Sequence, residues 1–291
     1  MSDLLGKKIK ELREYSGLSQ RAVCRDICTQ PYISKIENGE IFPSADLLLK
    51  ISERLNVNIS YLLDISNAPR YDYMVEVFTQ IREEVYKRNY KLVKEIIKSE
   101  KRNNIFADTK SQQFFLWHEG ICSYYEDGNK EQALSLLNEA LSLTTHQKQL
   151  YSEREIEILI SLGNIYSESK DYPLAIKNFK VAHLQLTMLL DLTNNYLPIR
   201  LYYNYSRALR YNREYQLSLK MCNEGIMLTK KYNFLYLKGD LYYQKGINYM
   251  ALQNFEKAKE NFKLAEMVYL LEGNSSSHKL VELMKEKLKE K

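Results

Sequence analysis

The chain repeats itself at an interval that stacked helical hairpins satisfy. Leu162, Gly163 and Tyr166 are followed by Asp171-Tyr172, Ala175, Phe179 and Ala182, and the pattern returns as Gly246, Tyr249, Asn254-Phe255, Ala258, Phe262 and Ala265. In both copies twelve residues separate the glycine from the first alanine, and seven separate the two alanines. A looser copy reads Trp117, Gly120, Gly128-Asn129, Ala133, Leu137 and Ala140. Another keeps only small residues, Ser206, Ser218 and Gly225, around Glu214-Tyr215, and Asn89-Tyr90 with Val93 marks a worn first copy. The first small position of each second helix falls at 93, 133, 175, 218 and 258, intervals of 40, 42, 43 and 40. Small residues on two facing helices let the backbones approach, and the aromatics fill the remaining gaps. Each hairpin buries its apolar face only against the next, which predicts a right-handed stack with a concave inner face.

Only 10 Gly and 5 Pro are spread over 291 residues, which fits an all-α chain of long helices joined by short turns. The repeat resembles the tetratricopeptide repeat, with helices longer than the usual unit of about 34 residues allows. About five hairpins are expected from residue 72 onward, closed by an amphipathic capping helix from Lys279 to Lys291. Most of the 24 tyrosines serve packing; Tyr166, Tyr172, Tyr215 and Tyr249 occupy repeat positions. First-helix residues turned away from the second helix line the concave side, and there stand Asn164, Tyr203, Asn204, Arg207 and Gln244. An amide presents a donor and an acceptor together, so such side chains grip the backbone of an extended peptide whatever its sequence.

Residues 1–64 follow different rules. Leu5, Ile9 and Leu12 recur at helical spacing and define a first helix ending near Tyr15, with Gly17 after it. Ser19 caps a second helix with Val23 and Ile27 facing inward. In the third, Ile33 and Ile36 turn inward while Gln30, Pro31, Ser34 and Lys35 occupy the opposite face. Thr29 is expected to cap its start, Pro31 lies in the tolerant first turn, and Gly39 sits where a left-handed residue ends a helix. Ser44 caps a fourth helix, Asp46 to Leu55, and Ser60 starts a short fifth with Leu62 and Leu63. Five short helices sharing one small core, with a capped helix polar on its outer face, fit a head that enters the major groove of DNA. Asp64 to Tyr71, with Pro69 and several turn formers, reads as the boundary: head 1–64, linker 65–71, body 72–291.

The head carries Leu18-Ser19-Gln20, ISKIENG from Ile33, a PS-x-x-L-x-x-I start at Pro43 and NVNISYLL from Asn56. In this order and spacing they resemble the helix-turn-helix domain of phage-repressor type. The resemblance implies that Gln20 touches phosphate, that Gln30, Tyr32 and Lys35 read bases, with Ser34 on the same outward face, and that Arg13 pairs with Glu37. One departure stands out: Val23 to Ile33 is one residue shorter than usual and lacks the customary turn glycine, with Cys28 where the turn is expected.

Other chemistries find little support. Lys plus Arg and Asp plus Glu nearly balance in the first 64 residues, so affinity for nucleic acid has to come from charge placement and from doubling in a dimer. Cys24, Cys28, Cys122 and Cys222 are too scattered for a disulfide framework and are expected as buried small hydrophobes. His118, His146, His183 and His278 lack metal-ligand spacing, and neither a phosphate loop nor a nucleophile elbow occurs. No enzyme, metal or cofactor is therefore expected. The N-terminus has no continuous apolar run, so neither signal peptide nor membrane span is expected, and the protein is placed in the cytoplasm.

A repressor-type head followed by long tetratricopeptide-type repeats and a terminal helix is the layout of the RNPP family of peptide-responsive quorum-sensing regulators. SKIENGEIFPSADLL, GNIYSE, YYNYSRALRYNREY and LYYQKG carry that resemblance, closest to the PlcR type. It implies a homodimer, double-stranded DNA with a palindromic operator, and a short signalling peptide held in the concave groove by asparagines, which points to Asn164 and Asn204. A competing reading is a protein-interaction scaffold or target inhibitor of the same repeat type with a vestigial head.

Overall fold

The computed structural model describes residues 2–67, 71–145 and 149–289. Of the residues named above, Pro69, His146 and Lys291 lie outside them. Every regular element among the described residues is a helix, and the chain divides into two compact units, 1–108 and 109–291.

The first unit opens with α1 (Ser2–Tyr15), α2 (Gln20–Cys24), α3 (Gln30–Glu37), α4 (Ala45–Arg54) and α5 (Ile59–Asn67). Leu5, Ile9, Val23, Ile33, Ile36, Leu48, Ile51 and Leu62 form its core, almost wholly shielded from water. The hydroxyls of Ser19 and Ser44 accept from the amides of Ala22 and Leu47, as expected of N-caps. Thr29 occupies the N-cap position of α3, but its side chain makes no capping bond; only its carbonyl accepts, from Tyr32 and Ile33. The fifth helix begins one residue before Ser60, because the Asn58 side chain accepts from the Ser60 amide. It runs through Asn67, so residues 65–67 are its last turn rather than extended linker.

Gly39 ends α3 as expected. Its φ is +77°, its amide bonds to Ile36 and that of Glu40 to Lys35, the paired bonds of a Schellman turn. A Cβ there would lie 2.7 Å from Cα of Asp3, so the position excludes side chains twice over. The left-handed residue between α2 and α3 is Asp26, φ +62°, not Cys28. Asp tolerates this region better than most residues, which is how the turn forms without glycine.

The first helical hairpin, α6 (Tyr71–Tyr86) and α7 (Tyr90–Glu100), belongs to the same unit. In the second unit α8 (Thr109–Tyr125) pairs with α9 (Lys130–Thr145), α10 (Glu153–Glu168) with α11 (Tyr172–Met188), α12 (Tyr196–Tyr211) with α13 (Tyr215–Lys231), and α14 (Lys238–Ala251) with α15 (Phe255–Leu271). α16 (Ser275–Lys289) packs on α15, with Val281 buried and Lys285 and His278 both meeting Glu266.

The repeat positions read from sequence are the packing positions. Ala133, Ala140, Ala175, Ala182, Ala258 and Ala265 are fully buried. A Cβ on Gly163 would stand 2.6 Å from the Phe179 ring, and one on Gly246 2.5 Å from the Phe262 ring, so each aromatic occupies the space its glycine leaves. In the serine copy the Ser218 hydroxyl donates to the Ser206 carbonyl at 2.7 Å and accepts from Asn248 Nδ2 at 2.7 Å, which satisfies the buried hydroxyl locally. The turns keep the same period: positive φ falls at Arg88, Gly128, Lys170, Arg213 and Gln253. Four of these turns send the next amide back five residues, as Asp171 does to Tyr166 at 2.8 Å. At Gly128 the reach is six, from Asn129 to Ser123, which accounts for the extra residue between Gly120 and Ala133.

Candidate functional site

In the head, the polar face of α3 is organised by a buried carboxylate. Glu37, 3% exposed, accepts from Arg13 Nε at 2.6 Å and from the second guanidinium nitrogen at 3.0 Å. Arg13 also donates to the Leu18 carbonyl at 3.0 Å, tying α1 to the start of α2. The pair is structural, at the core side of the helix. Gln20 Nε2 donates to the same carboxylate at 2.8 Å, and Gln30 Nε2 donates to Gln20 Oε1 at 2.6 Å.

The direction of this chain is forced. A carboxylate only accepts, so Gln20 has to turn its amino group inward and its carbonyl toward Gln30. Gln30 then spends one N–H on Gln20, while its carbonyl and second N–H make no other bond among the described residues. Those two groups are the ones a bidentate contact with adenine requires. Lys35 is exposed, Ser34 is half-buried, and Tyr32 is half-buried against the head core. The structure also brings in Arg54, which sequence reasoning did not single out. From α4 its guanidinium donates to the carbonyls of Ala22 at 2.6 Å and Arg25 at 2.9 Å, holding the end of α2 on the edge of the turn into α3.

In the second unit, a groove of about 320 Å³ lies between the exposed edges of α10 and α12. Asn164, Asn204 and Arg207 line it together, with Ser167, Glu168, Lys170, Tyr172 and Tyr211. Tyr172 and Tyr211 stack face to face, centroids 5.3 Å apart and planes within 13°. Their spacing made this visible in principle: Ser167 and Glu168 stand one helical turn beyond Asn164, as Tyr211 does beyond Arg207.

Tyr203 sits beside the groove, its ring under the Arg207 guanidinium at 5.5 Å and packed into the α12–α16 core. Gln244 is elsewhere: it is 3% exposed, and its Nε2 has no hydrogen-bond partner among the described residues. Burial pushes the Tyr211 hydroxyl up, but the Arg210 and Arg207 guanidiniums overcome it and hold its pKa below the ordinary phenol value.

The cysteines are free thiols, with Cys24, Cys122 and Cys222 buried and Cys28 half-buried. Burial raises the Cys222 thiol to about 12, which leaves it protonated and inert. His118 is buried and bonds its own helix at the Phe114 carbonyl, 2.7 Å away.

A model of the RNPP family C-terminal domain matches residues 78–288, and a helix-turn-helix model matches residues 9–62. The chain belongs to the RNPP family. Membership, with the helix-turn-helix head, makes it a transcription regulator of helix-turn-helix type. Among solved structures, Bacillus thuringiensis PlcR in complex with the peptide PapR7 and DNA superposes with a TM-score of 0.82, at 24% identity over 98% of this chain and 99% of that one. ComR from S. thermophilus, in complex with DNA and its signalling peptide ComS, gives 0.65 at 18% identity over 98% and 99%. The Streptococcus dysgalactiae SHP pheromone receptor Rgg2 gives 0.67 at 16% identity over 98% and 99%. At these identities the likeness establishes a shared fold. No curated protein matches the chain. Among the described residues of this RNPP regulator, no helix is long and apolar enough to cross a membrane.

Proposed function

We propose that this RNPP regulator binds a palindromic operator as a homodimer, in the cytoplasm, and that a short signalling peptide in the α10–α12 groove gates the binding, as in quorum sensing. The observation that carries the proposal is the groove itself: two asparagines on consecutive first helices, Asn164 and Asn204, face one cleft with Arg207. Paired amides of this kind bond the carbonyl and N–H groups of an extended backbone. Relatives of the same fold were crystallised with peptide and DNA, which supports the same roles here.

In the head, Gln30 reads an adenine edge, Lys35 and Ser34 meet the same groove, Gln20 adds a phosphate contact through its backbone N–H at the start of α2, and Tyr32 sets the depth of entry. The intact network from Arg13 to Gln30 argues against a vestigial head. A two-fold dimer meets successive major grooves only when its recognition helices stand about 34 Å apart. A peptide that binds the repeats better in that arrangement shifts the population toward it, by no more than its difference in affinity.

Replacing Asn204 with Ala is the test. Peptide response of DNA binding should fall while operator binding without peptide is retained; an unchanged response removes Asn204 from the site. Replacing Gln30 and Lys35 with Ala should abolish specific DNA binding and spare the peptide.

A further inference from the structure

Several acids on the first helices of the repeats are already engaged. Glu157 of α10 takes Arg200 of α12 at 2.7 Å. Glu168 accepts the Tyr125 hydroxyl at 2.8 Å, and Asp240 of α14 accepts that of Tyr269 at 3.1 Å. The other two bases of α12 are not matched in the same way. Among the described residues neither Arg207 nor Arg210 has a carboxylate within 4.0 Å. Their guanidiniums lie over rings instead, Arg207 over Tyr203 at 5.5 Å and Arg210 over Tyr211 at 4.0 Å, and Arg210 Nε is buried without a hydrogen-bond partner.

This positive charge is felt at the groove wall, where the Arg210 and Arg207 guanidiniums outweigh burial at the Tyr211 hydroxyl; the acid that feels Arg207 is Asp240, whose carboxyl burial nevertheless pushes up. The other two charges lining the groove, Glu168 and Lys170, are of opposite sign and cancel to first order. A guanidinium carries more N–H donors than the nearby Tyr211 hydroxyl can use, so Arg207 still has an edge to offer the two oxygens of a carboxylate.

We propose that Arg207 takes a carboxylate of the peptide, flanked by the Asn164 and Asn204 amides. The inference rests on the groove being a peptide site. Two sources share this chemistry, the peptide's own C-terminus and an Asp or Glu side chain.

The test uses the full-length protein on an array of random heptapeptides in two sets, one ending in a free carboxylate and one in an amide, each containing members with and without Asp or Glu. Among bound sequences, those bearing a carboxylate should bind at least about tenfold tighter than their neutral counterparts, as expected for a charge-assisted hydrogen bond. Loss of binding across the amide set identifies the C-terminus; retention only in members with Asp or Glu identifies a side chain. Arg207→Gln should erase the preference and Arg207→Lys should restore part of it. The wild-type comparison needs no variant, so a misfolded Arg207→Gln does not blunt the test. If peptides bind with no preference for a carboxylate, the assignment to Arg207 is overturned while the groove stands. If no heptapeptide binds either form, the groove reading fails and takes this inference with it.

Discussion

Glu37→Gln changes one oxygen to an amino group and tests the polar chain of the head. The carboxylate accepts three bonds, at 2.6, 3.0 and 2.8 Å, from Arg13 twice and from Gln20 once. Bonds to a charged partner contribute about 1.5–3 kcal/mol each. The amide keeps one acceptor, so up to two such bonds are lost, and Arg13, nearly buried, is left with only the exposed Glu14 carboxylate at 3.3 Å as counter-charge. Allowing for a residual neutral bond, we expect the head to lose about 2–4 kcal/mol, consistent with the penalty for breaking a buried ion pair from one side.

The consequence for recognition is separate. With a donor where Glu37 only accepted, Gln20 is free to turn over, and Gln30 no longer has a fixed carbonyl direction. Discrimination for adenine should then fall by about 1–3 kcal/mol, roughly the worth of a bidentate contact. Calorimetry of the full-length protein reads the first effect as a lowered head transition beside an unchanged repeat transition. Selection from random duplexes reads the second as relaxed preference at one position of each half-site. A variant as stable as the parent with the same preferred sequence would refute the forced direction of the chain.

Three further outcomes follow from the same geometry. Arg54→Gln removes two guanidinium bonds to the carbonyls of Ala22 and Arg25, and should weaken DNA binding and lower the head transition, each charged bond contributing about 1.5–3 kcal/mol; unchanged binding would show the turn holds without it. Gly163→Ala drives a Cβ to 2.6 Å from the fully buried Phe179 ring, an overlap of about 1–3 kcal/mol against a helix-propensity gain of about 1, and adding Phe179→Leu should recover most of the loss; simple additivity of the two would contradict the repeat packing. Burial raises the pKa of Asp240, so the folded chain holds that proton more tightly and loses stability as pH climbs from the ordinary carboxylate value through the raised one. Asp240→Asn, which keeps an acceptor for Tyr269, should therefore melt higher than the parent at neutral pH and equally in acid, and a gain that ignores pH would sink the explanation.

Local signals in the sequence were reliable where the local chain decides the outcome. Ser19, Ser44 and Gly39 do what their positions require, because a cap or a left-handed turn is settled within a few residues. Thr29 stands at an N-cap position too, yet its hydroxyl makes no capping bond, since side-chain rotamers answer to surroundings as well as to position. The small residues of the repeat announced themselves because close packing tolerates nothing larger. Exposure was harder to read. Asn204 and Gln244 both stand two residues before the small position of their helix, but Asn204 lines the groove and Gln244 is buried, a difference set by the neighbouring helices. Arg54 left no local trace either, because its partners are 29 and 32 residues away.

Peptide-gated DNA binding is tested most directly by genome-wide occupancy of the protein in its host, measured with and without spent culture medium. The account predicts sharp peaks over an inverted repeat whose heights change when medium is added. Peaks that ignore the medium would contradict the gating, and the absence of peaks in both conditions would contradict the regulator itself.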